Sequence, residues 1–124
     1  MSDNIFYTRS HEWIEVKGIR ARIGITQYAQ GELGEIVAVE LPKVGEKVEA
    51  GKEASVLEST KAAADVYAPI SGTVVAVNKA LSKEPGLINS SPESDGWLFE
   101  VEGFDSKEVT KLFTLAEYQR YLKE

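Results

Sequence analysis

Two hydrophobic periods divide the chain. Ile14 and Val16 alternate with polar neighbours, Lys17-Gly18 supplies a turn, and Ile19, Ala21, Ile23 and Ile25 alternate with Arg20, Arg22 and Gly24. Apolar residues at every second position about a glycine turn predict an antiparallel hairpin with one wet face. Thr26 can then cap a short helix near residues 26–33 that carries Tyr28, Ala29 and Leu33 and is closed by Gly34. Gly31 inside it costs about 1 kcal/mol relative to alanine, so this helix depends on packing. Strand-like runs follow at 36–39, 54–57, 74–77 and 97–101, separated by Pro42, Gly45, Gly51, Pro69, Gly72, Pro85, Gly86, Pro92 and Gly96. Short strands between turn signals predict a mainly β fold, a sandwich or flattened barrel. Toward the C-terminus the period becomes helical. Asp105-x-x-Glu108 and Thr114-x-x-Glu117 both fit a capping box, and apolar residues follow each at helical spacing, so two helices are expected across 105–123.

One strand signal occurs twice. Gly34-Glu35-Ile36-Val37-Ala38-Val39-Glu40 returns as Gly72-Thr73-Val74-Val75-Ala76-Val77-Asn78, each copy opening a segment that ends in another strand. Neither unit can bury its apolar face alone, which predicts a pseudo-two-fold β core over about 34–101 within a single domain, 1–124. The connection between the halves should stand out as a hairpin, and there the chain reads Glu58-Ser59-Thr60-Lys61-Ala62-Ala63-Ala64-Asp65.

Composition narrows the function. A chain of 124 residues, 43% hydrophobic and 27% charged, suits one core without a covalent staple. With no cysteine, disulfides, thiolate metal sites and cysteine nucleophiles are all excluded. Fourteen Lys+Arg against twenty Asp+Glu leave a net charge of -6, a poor match for nucleic acid. No apolar run approaches the ~18 residues of a membrane span. Met1-Ser2-Asp3-Asn4 carries no secretory or transit pattern, so a cytoplasmic monomer is expected. The glycines are scattered and none opens a phosphate-binding turn; Gly45, Gly51 and Gly72 read as turns that need unusual backbone angles. His11, the single histidine, has no companion nucleophile or ligand spacing and reads as a loop residue beside Trp13. Trp13 and Trp97 read as packing residues.

Lys61 is the candidate for chemistry. Ser59, Thr60, Ala62, Ala63 and Ala64 are small, leaving its amine open to another protein, and strand propensity does not explain that composition. An amine of ordinary pKa, about 10.4, is protonated near neutral pH and is a poor nucleophile, so acylation there requires an enzyme that positions it.

The segment from Glu58 to Gly72 resembles the lipoyl-lysine segment of glycine cleavage system H proteins. Ser10-His11-Glu12-Trp13, Gly24-Ile25-Thr26-x-x-Ala29-Gln30, Leu33-Gly34, Val39-Glu40-Leu41-Pro42, Pro85-Gly86-Leu87-Ile88-Asn89 and Gly96-Trp97 match the same family in the same order, from about Tyr7 to Tyr121. The resemblance implies a hybrid barrel-sandwich fold and lipoate in amide linkage to Lys61, attached by a lipoate ligase or a lipoyl/octanoyl transferase. It implies a non-catalytic carrier that takes an aminomethyl unit from a PLP-dependent glycine decarboxylase to an aminomethyltransferase, and electrons to dihydrolipoamide dehydrogenase. It further implies a surface cleft for the loaded arm, with Ser10, Glu12 and Asp65 at the matching positions. Several relatives have histidine near the place of Glu32, a departure here. Alternatives are an H-like lipoate carrier serving lipoyl relay or sulfur metabolism and, in another class, an enzyme using Lys61 as a Schiff-base nucleophile.

Overall fold

The computed structural model describes residues 4–124. Strands β1 (Ile5–Tyr7), β2 (Glu12–Lys17) and β3 (Arg20–Ile25) lead into helix α1 (Gln27–Leu33). Then come β4 (Ile36–Glu40), β5 (Lys47–Val48), β6 (Glu53–Ser59), β7 (Ala63–Tyr67) and β8 (Gly72–Val77). A 3-10 turn at Lys79–Ser82 and helix α2 (Leu87–Ser90) precede β9 (Phe99–Glu102), α3 (Ser106–Val109) and α4 (Leu115–Leu122). The strands form two antiparallel sheets, one in the order β1-β2-β3-β9-β8-β5 and one in the order β4-β6-β7. They make an open sandwich, mainly β as the patterning predicts. Ile14, Ile23, Leu57, Ile70, Leu81, Ile88, Leu98 and Phe99 are almost wholly buried in the core, and that apolar burial is the main favourable contribution to the fold.

The predicted hairpin is β2–β3, in register from Glu12↔Ile25 to Lys17↔Arg20. Only Ile19 departs from the pattern; it falls in the turn and is 73% exposed. Trp13 pairs with Gly24, and a Cβ on Gly24 would lie 2.7 Å from the indole ring. The glycine therefore makes room for the buried tryptophan, whose Nε1 donates to the Pro92 carbonyl at 2.9 Å. Trp97 lies under the Arg22 guanidinium, 4.4 Å from the ring centroid, a cation–π contact on the surface.

The repeated motif carries a repeated irregularity. The β4–β6 register shifts between Ile36 and Ala38, and the β8–β9 register shifts between Val74 and Ala76. Those positions correspond in the two copies, and each bulge bends its strand at the same point.

Three local expectations are corrected. Asp105 caps α3 through the Lys107 amide at 2.9 Å, but Glu108 does not complete a capping box. Its carboxylate instead accepts from the Ser71 amide at 2.8 Å and the Ser71 hydroxyl at 3.2 Å, so a distant loop has outcompeted the helix end. Thr114 and Glu117 do form the full box at α4. Gly45 and Gly51 have positive φ, 94° and 82°, but Gly72 does not. It is glycine because a Cβ would stand 2.8 Å from the Glu102 carbonyl of the paired strand β9. The last long strand begins at Phe99 rather than Trp97, although the Leu98 amide already donates to the Ile23 carbonyl.

Candidate functional site

Strands β6 and β7 pair from Glu53↔Tyr67 to Glu58↔Ala63, and Thr60-Lys61-Ala62 closes their hairpin. Ser59 organises the turn. Its hydroxyl oxygen accepts from the Lys61 and Ala62 amides at 3.1 Å each and donates to the Ala62 carbonyl at 3.0 Å. The Ser59 amide donates to the same carbonyl at 2.8 Å, and the Thr60 amide reaches the Glu35 carbonyl at 3.0 Å. The tip is thus fixed through main chain and one serine, leaving the lysine side chain with no part in holding the turn. Lys61 and its neighbours Ala62 and Ala63 are exposed. Among the described residues Lys61 makes no ion pair. Its stem lies across Gly34, where a Cβ would sit 3.2 Å from Lys61 Cε. Burial, one of the two ways a Schiff-base lysine is activated, is not what the hairpin offers.

A cleft of about 160 Å³ opens beside the hairpin, between the residue 8–12 turn, α1 and β7. Ser10, Glu12 and Asp65 all line it, as do His11, Ala64, Glu32 and Leu33. Leu33 precedes Gly34, so the Lys61 stem and the cleft wall are adjacent along α1. Glu12 is 2% exposed and satisfied on both oxygens. One accepts from Thr8 and Ser10 hydroxyls at 2.6 Å each; the other accepts from the Tyr67 amide at 3.3 Å, covering an open position on the edge of β7. Glu12 therefore ties the two sheets together as well as lining the cleft. Asp65 lies on exposed β7, where its charge and a shared hydrogen bond, followed by burial and Glu40, push the Glu53 carboxyl above its ordinary value.

His11 was legible only as a loop residue, and the structure gives it neighbours far along the chain. Its Nδ1 lies 2.7 Å from the Tyr118 hydroxyl, and its ring packs on Tyr28 at 4.7 Å. The same Tyr118 hydroxyl lies 2.8 Å from Thr26 Oγ1, the N-cap of α1. Burial lowers the His11 pKa, opposed by the carboxylates of Glu12 and Glu32. Burial raises the Tyr118 phenol to about 12, so it is a neutral hydroxyl at any physiological pH. Glu32, singled out in the sequence as a departure from the family pattern, also lines the cleft.

An exposed lysine able to accept an acyl group, beside a cleft edged by carboxylates, suits a tethered cofactor with a cationic load. Comparison with known proteins identifies the family. The family model for "Glycine cleavage H-protein" matches residues 5–124. Glycine cleavage system H protein 4 of Aquifex aeolicus is 50% identical over 119 residues, covering 96% of this chain and 70% of its own. The Thermotoga maritima glycine cleavage system H protein is 48% identical over 115 residues, 93% of each chain. A crystal structure of the Mycobacterium marinum H protein superposes with a TM-score of 0.86 at 38% identity, covering 98% of both chains. With its sheet order, hairpin lysine and full-length match together, this chain belongs to the glycine cleavage H-protein family, whose members are lipoate-bearing carriers.

Proposed function

We propose that Lys61 holds lipoate in amide linkage, and that the protein carries the aminomethyl unit from a PLP-dependent glycine decarboxylase to an aminomethyltransferase. It then delivers electrons to dihydrolipoamide dehydrogenase. The observation that carries this reading is the presentation of Lys61: exposed, followed by three alanines, and with a side chain that takes no part in the hydrogen bonds of the turn that displays it. Lipoate would supply a redox-active disulfide to a chain that has no cysteine. The chain's own residues do the rest. Acylation removes the lysine charge, and the tether raises the local concentration of its load at each partner.

Ser10, Glu12 and Asp65 form the resting place for the loaded end of the arm, and Glu32 adds a further carboxylate to it. Carboxylates are the acceptors a protonated amine requires. The modifying enzyme is a lipoate ligase or a lipoyl/octanoyl transferase, which must reach the tip from solvent. The chain itself catalyses none of the steps. The matching bulges of β4 and β8 support a core of two similar halves, with the lysine hairpin at their junction.

Reconstitution with glycine, tetrahydrofolate and the three partner enzymes tests the proposal. Lipoylated protein should sustain methylene transfer to tetrahydrofolate, and Lys61→Arg should abolish it while melting within about 0.5 kcal/mol of wild type. Retained transfer by Lys61→Arg would defeat the assignment.

A further inference from the structure

Helix α4 is separated from the residue 8–12 turn by almost the whole sequence, yet it grips that turn, which supplies one wall of the cleft. The Tyr118 hydroxyl meets His11 Nδ1 at 2.7 Å and Thr26 Oγ1 at 2.8 Å. The Tyr121 hydroxyl donates to the Arg9 carbonyl at 3.3 Å. Tyr7 and Phe113 exchange backbone hydrogen bonds at 2.8 Å, anchoring the segment that leads into α4. The gripped turn is unusual. His11 has φ 71°, the only positive value at a non-glycine among the described residues. Such a conformation costs roughly 1–2 kcal/mol in an L-residue and persists where surrounding contacts hold it. Here the His11 carbonyl accepts from the Thr26 amide at 3.0 Å while the ring is held by Tyr118. On either side of this strained residue stand Ser10 and Glu12, hydrogen-bonded to each other at 2.6 Å and facing the cleft.

Resting on the carrier reading above, we propose that Tyr118 is a positioning residue for the arm cleft. Its hydroxyl joins the turn bearing Ser10 and Glu12 to the N-cap of α1, the helix that bears Glu32. Together with the Thr26 amide–His11 carbonyl bond, the phenol holds the separation of two cleft walls without entering the cleft, since Tyr118 is not among the residues that line it. The C-terminal helix is then part of the cargo site, in addition to covering the sheet edge at β1. Thr26 reinforces the arrangement: its Oγ1 also accepts from the Ala29 amide at 3.2 Å, so a change at Tyr118 is felt at the first turn of α1.

The test separates positioning from stability. Tyr118→Phe removes the hydroxyl and keeps the ring stacked on Tyr7, 4.9 Å away. Tyr7→Phe is the control, since it removes a hydroxyl from the same stack without touching His11. In unmodified protein, hydrogen exchange at the Glu12, Thr26 and Ala29 amides should quicken about fivefold in Tyr118→Phe, the scale of one lost hydrogen bond, with core amides of β6 and β8 unchanged. After lipoylation and charging from glycine by the decarboxylase, hydrolysis of the aminomethyl thiol to free thiol, formaldehyde and ammonia should be about fivefold faster in Tyr118→Phe than in Tyr7→Phe. His11→Asn tolerates the left-handed backbone but cannot reach the phenol; it should reproduce the loss, and the double variant should add nothing to it. Equal exchange and equal ammonia escape in the Tyr118 and Tyr7 variants would overturn the proposal. Mass spectrometry of Lys61 in the same samples keeps the two readings apart. A bare Lys61 in wild type refutes the carrier reading, whereas full lipoylation with equal ammonia escape refutes the positioning role alone.

Discussion

The lysine hairpin and the neighbouring turn at residues 8–12 serve one site by opposite constructions. At the hairpin, the bonds that shape the tip join residues two or three positions apart, through Ser59, with one strut to Glu35. At the turn, local bonds among Thr8, Ser10, His11 and Glu12 do not suffice, and the shape also draws on groups from β7, the α1 N-cap and α4, up to 112 residues distant. On the proposed carrier role, the hairpin presents a group to other proteins, so it has to be open and independent of its surroundings. On the same role the turn encloses a group, so it has to be built from several elements at once. Presentation is local and enclosure is not.

Substitutions on each side put that contrast at risk. The largest effect is expected at Glu12→Ala, which strips the partner from two hydroxyls and the Tyr67 amide in a nearly closed setting. Urea unfolding should show a loss of about 2–3 kcal/mol, with Lys61 still modified at the wild-type rate. Gly34→Ala comes next, because Gly34 has φ 82° and the new methyl would press on the Lys61 stem. It should cost about 1–3 kcal/mol and, by displacing that stem, slow lipoylation as well. Ser59→Ala should cost about 1 kcal/mol and loosen the tip alone, seen as faster amide exchange at Lys61 and Ala62 with the cleft amides unmoved.

The weakest of these effects is a pH dependence from His11. Burial lowers its folded-state pKa below the ordinary 6.5. The unfolded chain therefore binds the proton first as pH falls. Stability from the neutral imidazole is complete above about 6.5 and declines below it until the folded form protonates too. Thermal melts of wild type and His11→Asn should diverge above that pH and converge below it, and a constant gap across the range would contradict the sign.

The same contrast explains what could be read from the sequence. The β2–β3 hairpin, the Thr26 cap, the full capping box at Thr114 and the exposed lysine all follow from neighbours in the chain, and all were legible. Ser10, Glu12 and Asp65 were reached through family resemblance, and the structure does bring them to one cleft. The Glu108 contact with Ser71 was not legible, since a side chain with a good local partner had a better distant one. Nor was the bond between His11 and Tyr118, because period and spacing carry no record of which helix face meets which loop. Gly72 misled for a related reason: a glycine needed for close strand approach looks identical in sequence to one needed for a turn.

If the hairpin exists to offer one amine for acylation, the modification itself is what has to be located. Peptide mass spectrometry of the protein co-expressed with a lipoate ligase and supplied with lipoate does so. A lipoyl adduct is expected on the peptide containing Lys61, on no other lysine, and none in Lys61→Arg. An unmodified Lys61 under those conditions, or an adduct placed elsewhere, would refute the role assigned to the hairpin.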